Sequence, residues 1–255
     1  MSEKITGKTK QTKTEVSEKP QKKKTARKSE ALKMLNEGAV RLFGCDASAL
    51  TEQQMFKVLC NTVRDLLIKK RKEFHDGYRK NGDKQVYYMS MEFLVGTSLR
   101  NNLFNLGVEK DFADAVSKLG MNINELYAME PDAGLGNGGL GRLASCYLDS
   151  MTSVGIPATG FSIRYEFGIF KQKIIDGWQM EFPDDWLGLG DVWLSPRQDE
   201  CVEIKFGGNV RAYDDNGKYR VSHENYNSVI AVPYDMYISG YNTDAVNKLV
   251  LWSAK

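Results

Sequence analysis

A short glycine-rich segment is the part of this sequence best suited to chemistry. Residues 134–141 read GLGNGGLG, and five of the eight are glycines: Gly134, Gly136, Gly138, Gly139 and Gly141. Glycine permits backbone conformations that a Cβ forbids, and it lets a ligand approach the main chain closely. A strongly helical pattern follows, and the first N–H groups of a helix favour an anion such as phosphate. The segment therefore predicts a binding site for a phosphate or a sugar.

Dinucleotide binding is the first alternative for this segment. Gly136, Gly138 and Gly141 satisfy G-x-G-x-x-G, but that pattern requires an apolar strand immediately upstream. The upstream residues NELYAMEPDA are polar and are interrupted by Pro131, which disfavours a central strand. An acidic residue about 20 positions further on should bind the ribose, and Glu166 lies too far along the chain. We therefore disfavour a dinucleotide site, and a purely structural role remains open for one or two of the glycines.

The elements that would position the segment form an α/β pattern. The strand predicted upstream is QVYYMSM, residues 85–91, which is rich in β-formers. The helix after the glycines has a predicted apolar face made of Leu140, Leu143, Ala144, Tyr147, Leu148 and Met151. Strand-like runs begin beyond Gly155, and Asp176–Gly177 is a standard hairpin dipeptide. The succession predicts a sheet whose loops meet at a common crevice, with β-hairpins inserted after residue 165.

Two helices are predicted before the first strand. Order is expected to begin near Glu30, at the start of a short helix. Thr51 can cap a longer second helix, with Gln54 completing a capping box. Apolar residues then recur at helical spacing and predict a buried stripe of Phe56, Leu59, Val63, Leu66 and Leu67. The basic run at residues 69–72 and Gly77 indicate where this helix ends.

Composition narrows the class of protein. The sequence has no run of about eighteen apolar residues, which predicts that it has no membrane span. The N-terminus lacks the apolar core of a signal peptide, which favours a cytoplasmic protein. Four cysteines lie far apart and two histidines are present, so no metal site is predicted.

Charge divides the chain into two parts. Residues 1–30 contain ten Lys or Arg residues against four Asp or Glu residues, and the remainder contains 25 against 29. A basic segment without aromatic residues cannot bury enough surface to become ordered, so residues 1–29 are predicted to be a disordered tail. The slightly acidic body argues against a nucleic-acid partner.

Over a much longer stretch, residues 132–186, the sequence is similar, nearly residue by residue, to the glycogen (α-glucan) phosphorylases. Three further stretches agree with that family: VYYMSMEFLVG at Val86–Gly96, AVPYD at Ala231–Asp235 and GYNTDAVNKLVLWSAK at Gly240–Lys255. They follow the family's order from about residue 30 to the end. The resemblance implies the N-terminal part of a glycosyltransferase-B fold, which has two Rossmann-like domains, so that residues 30–255 form an incomplete N-terminal phosphorylase domain.

The resemblance also implies an activity. The family performs reversible phosphorolysis of terminal α-1,4-linked glucose in glycogen or maltodextrin, giving glucose 1-phosphate. Its implied cofactor is pyridoxal phosphate, which acts through its phosphate group. Glycogen or maltodextrin and inorganic phosphate are the implied partners, with a homodimer expected for the full-length protein.

Individual site residues are implied by matching positions. Asn137, Gly138, Gly139 and Leu140 resemble the loop whose backbone N–H groups face the substrate phosphate and the glucosyl unit. Gly139 matches the phosphate contact, and Leu140 matches a backbone contact to the sugar. Glu92 resembles an acidic residue that lines the same site, and a paired structural carboxylate is its alternative.

The sequence also departs from the family pattern. The family's cofactor lysine belongs to a C-terminal domain that this sequence lacks, so no lysine here is given the Schiff-base role and no complete catalytic set is expected. We predict that the chain alone is inactive, with a non-catalytic glucan- or partner-binding fragment as the alternative. Thr97 stands where many members carry Arg, and Lys248 and Val250 replace the more usual Thr and Arg.

Overall fold

The computed structural model describes the backbone of residues 19–255 and the side chains of residues 29–255. Its helices are α1 (Lys19–Phe43), α2 (Glu52–Asn81), α3 (Leu99–Asn105), α4 (Glu109–Lys118), α5 (Ile123–Ala128) and α6 (Gly139–Ser153). Its strands are β1 (Val86–Met89), β2 (Ala158–Ile163), β3 (Gly168–Ile175), β4 (Trp178–Asp184), β5 (Ser195–Pro196), β6 (Val202–Phe206), β7 (Asn209–Asp215), β8 (Lys218–Glu224), β9 (Asn227–Ser239) and β10 (Val246–Ala254). The predicted α/β class is confirmed.

One mixed sheet forms the centre of the fold. Its strands are ordered β1-β2-β10-β9-β5, and β6 also pairs with β9. Strands β1, β2 and β10 are parallel, whereas β9 is antiparallel to β10, β5 and β6. The chain passes from β1 to the adjacent parallel β2 through α3, α4, α5 and α6. Such a crossover places the start of α6 near the carboxyl ends of these parallel strands.

Helices cover both faces of the sheet. Successive residues of a strand point to opposite faces. Val246 of β10 packs into the cluster formed with α1 to α5, whereas Leu249 and Leu251 pack into a second cluster with Ala144 and Leu148 of α6. Helix α2 therefore lies against one face and α6 against the other, which gives a three-layer arrangement.

A single asparagine closes the junction between α6, β2 and β10. Asn247 is fully buried, and its Oδ1 accepts a hydrogen bond from the Ala158 N–H at 2.9 Å. Its Nδ2 donates to Thr152 Oγ1 at 3.0 Å and to the Ile156 carbonyl at 2.9 Å. The Thr152 hydroxyl in turn donates to the Leu148 carbonyl at 2.7 Å. The polar groups at the C-terminal end of α6 are therefore satisfied inside the protein.

Helix α2 confirms the predicted cap but not the predicted end. Thr51 and Gln54 form a capping box, and the predicted stripe is buried apart from Leu66, which is partly exposed. The helix continues through Gly77 to Asn81 and ends at Gly82, which has a φ of 71°. The prediction of an end near residues 69–72 and Gly77 was therefore wrong. Glycine costs only about 1 kcal/mol inside a helix, and long helices on an apolar core tolerate that cost.

Helix α1 begins at Lys19, before the position near Glu30 where the sequence predicts order to start. Residues 19–29 of the predicted disordered tail, which was residues 1–29, therefore lie in α1. Residues 1–18 of that tail lie outside the described residues. At its other end α1 stops at Phe43, and Gly44 takes a φ of 68°.

The hairpin predicted at Asp176–Gly177 is present, and so is a second hairpin, which the turn residues Asp214, Asp215, Asn216 and Gly217 also predict. Strands β3 and β4 are joined at Asp176 and Gly177, with φ values of 50° and 82°. Strands β7 and β8 are joined at Asn216 and Gly217, with φ values of 55° and 80°. Positive φ at both central residues is the requirement of a type I′ turn. Each hairpin forms its own two-stranded sheet.

Lys248, one of the departures from the family pattern, makes a partly buried ion pair. Its Nζ lies 3.1 Å from each carboxylate oxygen of Asp235 on the neighbouring strand β9. Val250 is the direct cross-strand partner of Asp235, so Lys248 reaches Asp235 from a diagonal position. Asp235 therefore has a lysine as its partner, although the residue directly opposite it, Val250, is apolar.

Within the described residues, 19–255, no helix is long and apolar enough to cross a membrane.

Candidate functional site

The glycine segment lies where the topology of the sheet predicts a site. Strand β1 ends at Met89 and leads into an irregular loop, residues 90–97, which we call the Glu92 loop. The segment of residues 133–138, which we call the glycine loop, leads into α6. Both loops are at the carboxyl ends of parallel strands, which is where α/β sheets place their ligands.

Hydrogen bonds join these two loops along their length. The Phe93 N–H donates to the Leu135 carbonyl at 2.8 Å, and the Leu94 N–H donates to the Gly141 carbonyl at 3.0 Å. At one end of this contact, the Asn137 N–H donates to Glu92 Oε2 at 3.2 Å. The two loops therefore form one unit rather than two independent segments.

At the other end of the contact, the Ala133 N–H donates to the Gly96 carbonyl at 3.4 Å. The Arg142 side chain also donates from Nη1 to the Leu94 carbonyl at 3.3 Å. Gly96 has a φ of 72°, in the left-handed region that favours glycine. This end of the contact therefore depends on a turn that only glycine makes without strain.

Three of the five glycines are required by close packing. A Cβ at Gly136 would lie 2.8 Å from the backbone nitrogen of Leu94, and one at Gly141 would lie 3.0 Å from the Cβ of Glu92. A Cβ at Gly134 would lie 2.5 Å from the Trp186 ring and 2.8 Å from the Cα of Gly168. The missing Cβ of these three glycines leaves room for neighbouring protein atoms. The sequence interpretation allowed this role for one or two positions, whereas the structure assigns it to three.

Gly138 and Gly139 are different, because a Cβ added at either would meet nothing within 4 Å. Gly138 has an extended conformation with φ −139° and ψ −159°, and Gly139 is the first residue of α6. Among the described residues, no hydrogen-bond acceptor is found for the N–H groups of Gly138, Gly139 and Leu140. Three donors at the positive end of a 15-residue helix therefore face open space.

The glycines do not serve unusual backbone angles. None of Gly134, Gly136, Gly138, Gly139 and Gly141 has a positive φ. The expectation that they adopt conformations that a Cβ forbids was therefore wrong. At Gly134, Gly136 and Gly141 the missing Cβ leaves room for neighbouring protein atoms. At Gly138 and Gly139 the space beside the Cα is open.

A small cleft lies beside the loops. It has a volume of about 90 Å³ and is lined by Glu92, Gly134, Gly136, Asn137, Tyr165, Phe167 and Ile169. The Tyr165 hydroxyl donates to the Met91 carbonyl at 2.9 Å, which fixes this wall against the Glu92 loop. The cleft lining contains no lysine, arginine or histidine. The basic side chain shown nearby is Arg142 on α6, which donates to the Leu94 carbonyl of the Glu92 loop and does not line the cleft.

The structure brings two of the five sequence-predicted site residues, Glu92 and Asn137, together at the cleft, whereas Gly138, Gly139 and Leu140 follow Asn137 along the chain and do not line it. Glu92, which the sequence left as either a site carboxylate or a paired structural one, both lines the cleft and accepts the Asn137 N–H. Because that N–H is already bonded, Asn137 differs from the next three residues, whose N–H groups are open. The Leu140 side chain is 65% exposed.

The predicted apolar face of α6 is only partly buried. Ala144 and Leu148 lie in the core, whereas Leu140, Leu143 and Tyr147 are exposed. The core therefore covers only part of the apolar face that the sequence predicts. Helical spacing identifies an apolar side of a helix but does not show whether a layer covers it.

Sequence reasoning missed Glu130, the residue before the Pro131 turn. Its carboxylate accepts hydrogen bonds from the Ser98 and Leu99 N–H groups at 2.7 and 2.8 Å and from Trp193 Nε1 at 2.7 Å. Burial raises the pKa of Glu130, and these hydrogen bonds partly counteract that rise. An acidic residue ahead of a proline and a glycine-rich segment is the only sequence signal that pointed to it.

No group of His, Cys, Asp and Glu side chains with the arrangement of a metal site occurs in the described part of the chain.

A second carboxyl with a raised pKa lies on α6. Burial raises the pKa of Asp149, and the charge of Arg142 opposes that rise.

Comparison with known proteins identifies the family. A protein-family model described as carbohydrate phosphorylase matches residues 116–255, more than half of the chain. The chain belongs to the carbohydrate phosphorylase family. The matched region begins in α4 and includes the glycine loop, all of α6 and every strand from β2 to β10.

Individual relatives extend the match toward the N-terminus. The chain is 45% identical over 200 residues to the glycogen phosphorylase of Bacillus subtilis (strain 168), covering 78% of this chain and 25% of that protein. It is 43% identical over 210 residues to the brain form of glycogen phosphorylase from Homo sapiens, covering 82% and 24%. It is 45% identical over 204 residues to the glycogen phosphorylase of Chlamydia pneumoniae, covering 80% and 25%. This phosphorylase chain therefore spans about a quarter of the length of the curated relatives that it matches.

Proposed function

We propose that this chain forms the wall of an α-glucan phosphorylase active site that binds the substrate phosphate and the glucosyl unit. The observation that carries the proposal is the row of open N–H groups at Gly138, Gly139 and Leu140, at the start of α6. Membership of the carbohydrate phosphorylase family supplies the substrate class. The full-length enzyme would perform phosphorolysis of terminal α-1,4-linked glucose in glycogen or maltodextrin and yield glucose 1-phosphate.

The physical basis is electrostatic. Phosphorolysis passes through an oxocarbenium-like state beside an anion. Amide dipoles that are already oriented stabilise an anion without reorganising during the reaction. We assign the phosphate contact to the Gly139 N–H and a sugar contact to the Leu140 backbone. Glu92 holds the Asn137 N–H, so it fixes the loop at the edge of these donors.

The cleft does not fit the cofactor that the family implies. Pyridoxal phosphate is the cofactor implied by the family and supplies its phosphate group to the reaction when bound. The cleft lining offers no lysine for its aldehyde and no basic side chain for its phosphate. We propose that a C-terminal domain of a full-length protein binds it, in a two-domain glycosyltransferase-B arrangement and a cytoplasmic homodimer.

Phosphate binding is testable on the chain itself. Phosphate titrated into the ¹⁵N-labelled chain should shift the amide signals of Gly138, Gly139 and Leu140 first. Amides of β7 and β8, on a separate hairpin, serve as an internal control. A saturable shift confined to α6 supports the proposal. Equal shifts across the chain, or no shift up to tens of millimolar phosphate, would contradict it.

Activity is a second test. The chain incubated with glycogen, phosphate and pyridoxal phosphate should form no sustained glucose 1-phosphate, because its site lacks basic side chains. Sustained product would disprove the inactivity of the isolated chain. Saturable binding of maltooligosaccharide without turnover would favour the alternative, a non-catalytic glucan-binding fragment. Binding of NAD that Gly138→Val abolishes would instead support a dinucleotide site.

A further inference from the structure

Glu130 connects three segments that meet behind the candidate site. It follows α5 and directly precedes the turn into the glycine loop. Ser98 and Leu99, which donate two of its hydrogen bonds, come directly after the Glu92 loop. Trp193, the third donor, lies on the segment between β4 and β5. One carboxylate therefore holds the far ends of both site loops and a third segment.

The bonding pattern requires a carboxylate. An ionised carboxylate offers only acceptor sites, and all three of its partners are donors. The three distances, 2.7, 2.8 and 2.7 Å, are short, as expected for hydrogen bonds to an ionised acceptor. A glutamine would place its NH₂ group against at least one of these donors. Substitution by glutamine therefore keeps the size of the side chain but replaces one hydrogen-bond acceptor by a donor.

The two ends of the loop contact depend on each other. The Glu130 carboxylate and the Ala133–Gly96 hydrogen bond lie at one end, and the Asn137–Glu92 hydrogen bond lies at the other. Between them the Phe93 N–H joins the two loops through the Leu135 carbonyl, and the Leu94 N–H joins the Glu92 loop to Gly141 in the first turn of α6. Freeing the Glu130 end would let the Glu92 loop move away from the glycine loop. The open N–H groups of α6 would then lose their fixed neighbour.

We propose that Glu130 is a positioning residue that holds the Glu92 loop and the glycine loop in register. The consequence for substrate rests on the proposed function, since it concerns the same N–H groups. Glu130 does not line the cleft, so it acts through the two loops and not on a reacting atom. Two other titratable groups interact electrostatically with it, Asp132 beside the glycine loop and the buried Cys60 thiol on α2.

Amide hydrogen exchange on the 255-residue chain tests this role. In Glu130→Gln, the amides of Phe93, Leu94 and Asn137 should exchange at least tenfold faster than in the wild type. The Trp193 indole N–H should also exchange faster, because its hydrogen bond to the Glu130 carboxylate is lost. Amides in β10 should keep their wild-type rates, because the opening is local.

Asp149→Asn is the matched control. Asp149 is another partly buried carboxyl with a raised pKa on α6; its charge acts on Arg142, which donates to the Leu94 carbonyl, but among the described residues neither loop donates a hydrogen bond to Asp149. This control should leave the rates of Phe93, Leu94 and Asn137 within twofold of the wild type. If Glu130→Gln does not fold, Trp193→Phe removes one donor while it keeps a ring, and about a threefold acceleration is expected.

Two results would overturn the proposal. One is an unchanged exchange rate at the three loop amides in Glu130→Gln. The other is an equal acceleration in β10, which would show a global loss of stability instead of a local one. Phosphate affinity is read separately, and Glu130→Gln should weaken it about tenfold. If the wild-type chain binds no phosphate, the proposed function fails, but the exchange rates still decide the role of Glu130.

Discussion

The two ends of α6 contrast in how they treat their polar groups. At the C-terminal end, Asn247 and Thr152 satisfy one another and the surrounding backbone inside the core. At the N-terminal end, the N–H groups of Gly138, Gly139 and Leu140 have no acceptor among the described residues. Proteins satisfy nearly all buried polar groups and leave open groups where water or a ligand can reach them. The difference indicates that one end of this helix is anchored in the core and that the other end is left open.

The largest effect is expected at the anchored end. Asn247→Leu leaves the Ala158 N–H and the Ile156 carbonyl without their partner, so the free energy of unfolding should fall by about 3 kcal/mol. Urea unfolding followed by circular dichroism measures the change. Asn101→Leu, the same substitution at an exposed position of α3, is the control. A loss below about 1 kcal/mol would show that the two ends do not differ as described.

The closed half of the glycine segment should respond next. Gly136→Ala places a Cβ 2.8 Å from the Leu94 backbone nitrogen, and the backbone cannot give way as a flexible side chain could. The free energy of unfolding should fall by about 2 kcal/mol. Gly138→Ala has open space and should stay within about 0.5 kcal/mol of the wild type. Equal losses in the two variants would remove the distinction between packing and open glycines.

The open half should affect binding more than stability. Gly139→Ala adds a methyl group beside the free N–H groups without a clash. We expect unchanged stability and a tenfold weaker phosphate affinity, about 1.4 kcal/mol. Isothermal titration or the amide shifts measure it, with Ser150→Ala on the exposed side of α6 as control. A phosphate affinity equal to that of the wild type in Gly139→Ala would show that phosphate does not bind at these N–H groups.

The smallest effect concerns the carboxyl on the same helix. Because burial raises the pKa of Asp149 above its ordinary 3.8, the folded state binds more protons than the unfolded state in the pH range just above that value. Stability from this group is therefore present at low pH and lost as pH rises through its pKa in the folded state. The stability of Asp149→Asn relative to the wild type should therefore rise as the pH is raised from 4 to 7, which urea unfolding at the two pH values measures. A fall in the relative stability of Asp149→Asn over this pH range would contradict burial as the cause of the raised pKa.

Several features of the fold could be predicted from the sequence because they depend on local chemistry. The capping box at Thr51 and the type I′ turns at Asp176–Gly177 and Asn216–Gly217 each follow from residue types at fixed spacing. The α/β class followed from the order of strand, helix and strand. The position of the glycine segment ahead of α6 followed in the same way.

Features that depend on long-range packing could not be predicted in this way. Which glycines face the Glu92 loop is decided by residues more than 40 positions apart, such as Gly136 and Leu94. The exposure of Leu143 and Tyr147 depends on whether another layer covers α6. The end of α2 was misplaced because a basic run and Gly77 resemble a helix end, whereas burial of Tyr78 extends the helix. The role of Glu130 requires knowing that Trp193 lies beside it.

The position of β10 in the sheet has a consequence for how the molecule is built. Strand β10 pairs with β2 and β9 and carries Asn247, yet it is the last element of the chain described. The contacts between β2 and β10 join residues about 90 positions apart, and such non-local contacts form slowly. During synthesis, the glycine loop therefore emerges long before the strand that anchors its helix. We expect the site to gain its final geometry only when the last strand enters the sheet.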